Sequence, residues 1–455
     1  MSKHAICPLD GRYLKKTQIL SEYFSEYALM KYRVLIECEY LISLSSLNKT
    51  ALRKFSQNEI KILRNLYKKF DEASYDAIKK LEETTNHDVK AVEYFIKEEL
   101  VKTSLKNFTE WIHFALTSED TNNIAYALIL SDSLENVMLP AIKKIISELN
   151  RLVKKYKDLP MLARTHGQSA SPTTFGKEMR VFSERLESYS TILTNTKVLA
   201  KLNGATGNYN AHIAAYPKIN WVDFSKKFIL NLNKNHSQKL EVNIFTTQIE
   251  CHDSYVSIFD NLKLINTILI GLDQDIWRYI SDNWIVQSAK VGEIGSSTMP
   301  HKINPIDFEN SEGNLGVANS LFEFFSRKLP ISRLQRDLSD STVERTFGTA
   351  FGHSYLAYTS LLKGLSKITI NERKIREDIY SHTEIIAEGI QTILRREGVI
   401  MPYEKLKELT RGKVVTMADI HQFIDTLKIS DKIKKELKKI TPESYIGLAS
   451  KLASI

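Results

Sequence analysis

The chain has 455 residues, 43% of them hydrophobic, with a formal net charge of +9 and three cysteines. That length allows two or three domains around a large core, and that composition excludes a disordered or membrane-embedded chain. Cys7, Cys38 and Cys251 show neither paired nor zinc-type spacing, so a reducing compartment and no metal site are expected.

The N-terminal MSKHAICPLDGRY lacks the apolar stretch of a signal peptide, and no uninterrupted apolar run approaches the roughly 18 residues of a membrane span. A cytoplasmic protein with no membrane partner is expected. Much of the positive charge sits in helical stretches such as KKLEE and DKIKKELKK, where acids interleave. Solvated helix faces explain that pattern better than nucleic-acid binding, which calls for a basic stripe with interleaved aromatics. A polyanionic small substrate fits the remaining charge.

Residues 20 to 47 predict an amphipathic helix, with Phe24, Tyr27, Val34, Cys38, Leu41 and Ile42 at helical intervals. A lysine-rich helical region follows from about 57 to 83. TTNHD then opens another helix, in which Asp88 is placed to cap. Capping explains Asn86 and Asp88, but it gives no reason for the imidazole of His87.

TSEDTNN (117 to 123) opens a long helix to about 156, which Pro140 should bend. PTTFGKEM opens a second, with Phe175, Met179, Phe182, Leu186, Tyr189 and Leu193 four and three apart. The spacing returns at Ile258, Leu262, Ile265, Leu269, Leu272, Ile276 and Tyr279, and again at Val343, Phe347, Ala350, Ser354, Ala357 and Leu361. Sustained heptads describe coiled-coil-like packing. Helices of about 30 residues would each run roughly 45 Å. With a shorter helix near 310 to 328, they predict an elongated bundle whose faces one chain cannot cover. Residues 202 to 251 lack clear periodicity, and Asn233 to Glu241 reads as an exposed polar tip. Shorter helices begin at about 366, with Gly398 and Gly412 as stops. The expected divisions are an N-terminal helical domain (1–110), a central long-helix domain (111–365) and a C-terminal helical domain (366–455).

The polar clusters fall at expected helix starts: Thr117 and Ser118; Thr165 to Gln168; and RDLSDSTVER (336 to 345). Helix starts offer free N–H groups and partial positive charge to carboxylates and phosphates. Ser341 and Glu344 also have capping-box spacing. That leaves Arg336 and Arg345 unexplained, and they are suited to a forked anion clamp. The stretch from Gly292 to Asn310, GEIGSSTMPHKINPIDFEN, is the least ordinary. Two glycines and two prolines make it a mobile loop, and it gathers Ser296, Ser297, His301, Lys302 and Asn304. The functional reading is a lid that carries a base and a cation for an anionic substrate. In an up-and-down bundle, Thr117 and Ser341 share one end, while His166 and Ser296 share the other, roughly 40 Å away. One pocket can hold both groups only if subunits pool them, so a homo-oligomer is expected.

GSSTMPHKINP resembles the signature loop of the fumarase/aspartase superfamily, whose members release fumarate from a substituted succinate. PLDGRY, TTNHDVKAVEYF, HFALTSEDTNN, RTHGQ, GNYNAHIAAYP, TTQIE and QRDLSDSTVER together resemble adenylosuccinate lyases of the bacterial type. The resemblance runs from about residue 8 to 450. It implies an all-α fold of three mostly helical domains around a long-helix bundle. It also implies a homotetramer with each active site built from three subunits, and no cofactor. The implied substrates are adenylosuccinate, split to AMP and fumarate, and SAICAR, split to AICAR and fumarate. Position by position, Ser296 matches the general base and His166 the general acid. The substrate-binding positions match Arg12 and Tyr13, then Asn86, His87 and Asp88, then Thr117, Ser118 and Gln248. In the signature loop and beyond they match Ser297, Lys302, Ile303, Asn304 and Asn310. Near residue 340 they match Arg336, Ser341, Thr342, Val343, Glu344 and Arg345. Ser169 departs from the proline that many relatives carry after THGQ, which bears on the turn behind His166.

Eliminating fumarate needs a base for a weakly acidic C–H, an acid for the departing nitrogen and positive charge near the carboxylates. Serine needs help as a base, which loop closure, backbone N–H groups and Lys302 are placed to give. An imidazole with a pKa near 6.5 suits the acid role. The rivals are a sister lyase acting on argininosuccinate, aspartate or malate; a non-catalytic helical scaffold; and a basic RNA-binding protein.

Overall fold

The computed structural model describes residues 4–234, 236, 239–288, 299, 301–411 and 415–455. The fold is all-α in class. Its described strands form three two-stranded pairs. By compactness the chain divides into two units, one of residues 1–142, 189–267 and 313–359, the other of 143–188, 268–312 and 360–455.

In the first unit the expected helix at 20–47 is Glu26–Ser45, started by Ser25, whose hydroxyl accepts the Ala28 N–H at 3.0 Å. The lysine-rich region is two helices, Gln57–Lys68 and Glu72–Thr85. Ser56 and Glu59 form a capping box on the first, and Asp71 caps the second while Phe70 is buried between them. Pro140 acts as its chemistry requires. Ser118–Ser133 leads into a π-turn, Leu134–Met138, and then Leu139–Tyr156. The Leu139 N–H reaches five residues back to the Leu134 carbonyl, and the wider turn absorbs the donor that proline lacks.

The heptad positions are the packing seams. Ile258, Leu262 and Ile265 of the helix Asp253–Ser281 are fully buried in the first unit, as are Phe347, Ala350, Ser354 and Ala357 of Phe347–Leu365. Phe259 stacks on Phe322 at 5.6 Å between centroids, and Phe325 meets Phe347 at 5.2 Å. Phe322 belongs to Ile306–Lys328, whose 23 residues make it shorter than the 29-residue Asp253–Ser281, as expected, though it starts earlier than residue 310. Val343 lies in a separate short helix, Ser339–Glu344, because the helical run breaks at Arg345 and Thr346.

In the second unit Phe175, Met179 and Leu186 of Phe175–Asn195 are buried, and so are Leu269, Leu272 and Ile276. The Asp253–Ser281 helix is also long and apolar enough to cross a membrane by length and composition, with half of its most apolar window buried. A heptad seam gives the same signature in a water-borne fold.

Two expectations for 202–251 change. The segment contains helices Asn210–Ala215 and Trp221–Leu232. The described end of the supposed exposed tip is a strand, Leu240–Val242, paired in parallel with Val198–Ala200, and Leu240 is buried. Gly398 follows Ala387–Arg396 at φ +72°, as a helix stop should, whereas Gly412 lies outside the described residues.

One close approach bears on the segment just after the loop. Phe308, near the start of Ile306–Lys328, is buried against Gly364, where an added Cβ would come within 2.8 Å of the ring. Gly364→Ala should therefore destabilise the protein by about 1–3 kcal/mol despite alanine's better helix propensity. A urea melt checks this, and an unchanged midpoint would show that the ring simply moves aside.

Candidate active site

The candidate residues divide by unit. Arg12, Tyr13, Asn86 to Asp88, Thr117, Ser118, Gln248, Arg336 and Ser341 to Arg345 belong to the first; His166 and Lys302 to Asn310 belong to the second. Ser296 and Ser297 lie outside the described residues.

The imidazole of His87 has a structural task. Asn86 ends Glu72–Thr85 in a left-handed conformation, φ 49°. His87 then caps Asp88–Val101, its Nδ1 accepting the Lys90 N–H at 3.2 Å. This corrects the expectation that Asp88 is the cap. Nδ1 is thereby committed as an acceptor, which leaves Nε2 to carry the ring proton. Asp88 instead receives Arg33 at 2.8 Å and Arg345 at 2.7 Å on Oδ2, and its Oδ1 accepts the Val89 N–H at 2.8 Å. Burial pushes this carboxyl's pKa up, but Arg33 and Arg345 together outweigh it and hold the acid well below the usual carboxylate range. Arg345 is partly exposed and lines a cavity of about 310 Å³ with Glu26, Tyr126 and Glu344. A larger cavity of about 860 Å³, lined by Tyr32, Tyr67 and Phe228 among others, contains none of the candidates.

Thr117 precedes Ser118–Ser133, and its N–H donates to Asp120 at 2.9 Å. Asp120 is fully buried and also accepts the N–H groups of Asn203 and Gly204, at 3.1 Å each. Lys201, equally buried, meets Asp120 at 3.0 Å and donates to the Gly204 carbonyl at 2.8 Å. This knot locks the Thr117–Ser118 helix start to the strand that ends at Ala200. Further along, Gly207 at φ +77° presses so close to Thr246 that a Cβ would fall 2.2 Å from its carbonyl oxygen. Gln248 lies on the same segment: its side chain donates to the Ala205 carbonyl at 3.1 Å and its N–H to the Gln335 carbonyl at 3.3 Å. GNYNA therefore serves to seat TTQIE, and TTQIE in turn meets the stretch that begins at Gln335.

The expected capping box at Ser341 and Glu344 is absent. The helix Ser339–Glu344 begins after Leu338, so Ser341 already lies inside it and its N–H donates to Asp340 at 2.6 Å. Glu344 is buried and faces His252 at 3.4 Å. Arg336 meets Glu119 at 2.9 Å and Asp340 at 3.3 Å. The two arginines of the expected clamp thus hold different carboxylates: Glu119 and Asp340 for Arg336, Asp88 for Arg345. Thr342 is exposed, Val343 is buried, and Arg12 is exposed with its guanidinium carbon 5.8 Å from the Tyr13 ring.

In the second unit RTHGQ is not a helix start. Strands Pro160–Thr165 and Gln168–Thr174 pair antiparallel with Thr165 opposite Gln168, leaving a two-residue turn. His166 and Gly167 have φ of 53° and 74°, the positive pair that such a hairpin needs. The imidazole is exposed at the hairpin tip, and Ser169 pairs with Arg164 in register. Lys302 is exposed, its N–H bonded to the Met299 carbonyl at 3.0 Å. Ile303 is anchored by Gln287, which donates to its carbonyl at 3.0 Å, and Asn310 accepts from Ser360 at 2.9 Å. Asn304, half-buried, precedes Pro305, whose carbonyl accepts from Phe308 and Glu309 at 3.0 and 3.2 Å.

Sequence reasoning missed Arg33, Glu119, Lys201 and His252, the partners that place the candidates. Glu119 and His252 had a signal, standing next to Ser118 and four residues past Gln248. Lys201 had none.

Models of two families match this chain: "Lyase" over residues 11–319 and "Adenylosuccinate lyase C-terminal" over 332–446. An adenylosuccinate lyase of Dictyostelium discoideum is 53% identical over 98% of this chain and 96% of its own. The chain belongs to the adenylosuccinate lyase family. The Escherichia coli (strain K12) adenylosuccinate lyase is 47% identical over 98% of this chain and 97% of its own. A fumarate lyase from Mesorhizobium sp. BNC1 shares the fold, with a TM-score of 0.74 at 15% identity over 96% of both chains. A 3-carboxy-cis,cis-muconate lactonizing enzyme from Pseudomonas putida does so too, at 0.74 and 17% over 96% of this chain and 95% of that one. Family membership accounts for the motifs, and the geometry says what holds each in place.

Lys201→Met would strand the buried Asp120 carboxylate, with an expected loss of about 3–5 kcal/mol. Lys227, exposed and paired with Asp223 at 2.7 Å, is the control, and its replacement should change stability by less than about 1 kcal/mol. Denaturant midpoints compare the two, and equal effects would mean that burial of the Asp120 pair does not matter.

Proposed function

We propose that the chain eliminates fumarate from adenylosuccinate, giving AMP, and from SAICAR, giving AICAR. One observation carries this reading: identity of about half to curated adenylosuccinate lyases over nearly the whole chain. Arg336 and Arg345, held beside helix starts of the first unit, support it, because the substrate brings a phosphate and two carboxylates to be neutralised.

In the proposed mechanism Ser296 removes the proton beside a succinyl carboxylate and His166 protonates the departing nitrogen. Lys302 and Asn304 hold the carboxylate on which negative charge develops, and Ser297 and Asn310 complete that side. Arg12, Tyr13, Arg336, Ser341 and Arg345 bind the nucleotide's anionic end. The segments Asn86 to Asp88 and Thr117 to Ser118, with Gln248, position the rest. His87, capping through Nδ1, presents Nε2–H to the ligand. The chemistry calls on no cofactor.

The proposed assembly is a cytoplasmic homotetramer in which each site takes residues from three subunits. The division at 1–110, 111–365 and 366–455 is proposed with it. Support comes from large apolar side chains that the long helices leave exposed, among them Leu264, Trp277, Val317 and Phe324.

Purified protein with adenylosuccinate should release fumarate and AMP, followed by ultraviolet absorbance, and no release would overturn the assignment. Ser296→Ala should lower kcat by at least about 100-fold with little change in KM, as expected for loss of the general base. His166→Gln should lower kcat similarly. An equal rise in KM would mean that either residue serves binding or folding instead.

A further inference from the structure

Beneath the proposed phosphate-binding arginines lies a buried set of acids whose charge does not balance. Glu119, Asp340 and Glu344 are each 3% exposed or less. Facing them are one guanidinium, Arg336, and one imidazole, His252, which is wholly buried. Glu250 adds a fourth carboxylate beside His252, accepting the His252 backbone N–H at 2.8 Å and the Asn243 side chain at 2.9 Å. Tyr126 and Tyr255 are the neighbouring phenols, and Tyr255 donates to the Asn123 carbonyl at 3.2 Å. Arg33 and Arg345 lie beyond Tyr126 and are already paired with Asp88, so even with His252 charged the negative groups outnumber the positive.

Hydrogen bonding does not settle the excess. Glu119 Oε1 and His252 Nδ1 are buried without a hydrogen bond, and the contacts of Arg336 Nε with Asp340 Oδ2 and of His252 Nε2 with Glu344 Oε1 are long ion pairs at 3.3 and 3.4 Å rather than well-formed hydrogen bonds. Ionised carboxylates so placed cost several kcal/mol each, and the least costly remedy is a bound proton. His252 sits at φ +62°, an uncommon conformation for a non-glycine residue. The cluster joins three motifs of the proposed site: TSEDTNN through Glu119, TTQIE through Glu250 with His252 two residues beyond it, and RDLSDSTVER through Arg336, Asp340 and Glu344.

We propose that Glu119, set against Glu344, holds a titratable proton for this site, so that seating a phosphate dianion against Arg336 raises its proton occupancy. This rests on the nucleotide reading above. The reasoning is electrostatic. Arg336 is the guanidinium that screens Glu119, and a dianion arriving at Arg336 takes a share of that screening. The carboxylate left behind binds a proton more tightly, and by linkage a protonated Glu119 binds the dianion more tightly. Burial, then Glu344, pushes the Glu119 carboxyl up to about 8, and Arg336 opposes them. Burial lowers the His252 imidazole, but Glu344, Glu119 and Glu250 outweigh it and push the ring up to about 9. Glu119 therefore keeps its proton well above the ordinary carboxylate range. Anion affinity should fall as pH rises through the ionisation of Glu119 and be nearly flat below it. Glu119 and Glu344 are positioning residues here, acting through Arg336.

The test is calorimetric titration of the full-length protein with AMP, whose phosphate is fully dianionic above pH 7, in two buffers of different ionisation enthalpy. At pH 8.5 wild type should take up about half a proton or more per site, and its AMP affinity should fall roughly tenfold from pH 7 to pH 9. Glu119→Gln, which copies the protonated acid in shape, should bind AMP with no proton uptake and little pH dependence. Glu344→Gln should shift the affinity loss to lower pH, because it removes the anion that most raises the Glu119 carboxyl. Thermal melts confirm that both variants fold. AMP binding to wild type without proton uptake, or unchanged uptake in Glu119→Gln, overturns the proposal alone. Failure of AMP to bind would remove the nucleotide reading and the proposal with it.

Discussion

A guanidinium that cannot leave its carboxylates is the constraint on which the first unit's candidates depend. Arg336 holds Glu119 on one helix start and Asp340 on another. Asp88 does the converse, holding Arg33 and Arg345 together. Lys201 and Asp120 repeat the device at full burial. Breaking the fully buried Lys201–Asp120 pair leaves an uncompensated charge at about 3–5 kcal/mol, a large part of a typical domain's stability, whereas the half-exposed Arg345 contributes less. Short helices and loops that would drift on backbone propensity alone are thereby held in register. A binding surface for phosphate and carboxylates needs that stiffness, since its donors must already point inward when the ligand arrives.

The same pairs stabilise and tune. Arg345 is presented to its cavity by Asp88, so its charge is partly offset before any substrate appears. Arg336 is offset more heavily, by acids that would otherwise be unscreened. On the proposed binding role, an arriving phosphate would compete with internal anions for both arginines, and affinity would be the difference between two large electrostatic terms. Proton occupancy of the buried acids is the natural variable that shifts that difference.

The long helices were legible because heptads leave a periodic trace: Ile258 to Tyr279 marks one seam in unbroken steps, and burial follows it. The bend at Pro140 was legible because proline lacks a donor wherever it stands. The hairpin at RTHGQ was not. Its turn needs two positive φ values, and histidine–glycine lacks the Asn–Gly signal that normally announces them. The caps were misread for a related reason. Aspartate, serine and histidine can all accept an N–H, and the choice of His87 over Asp88 is settled by Arg33, 55 residues away. Ser341 lost its expected box because Glu344 turns inward to His252. Tertiary charge pairing decided each case, and one sequence carries no direct record of it. The candidate residues themselves were recognisable by chemical type and by likeness to a family, whereas their supporting partners were not.

Within one chain the candidates fall into two groups by residue number, the cationic helix starts and the His166 group. The proposed chemistry requires both in one pocket, drawn from neighbouring subunits. Subunit complementation tests this most directly. Arg345→Met and His166→Gln proteins, each inactive alone, are unfolded together, refolded as mixed assemblies and assayed for fumarate release from adenylosuccinate. Recovered activity in the mixture, absent from either variant refolded by itself, is expected if sites combine residues of different chains. A mixture as inactive as its parents, with mixed assemblies verified by native mass spectrometry, would contradict it.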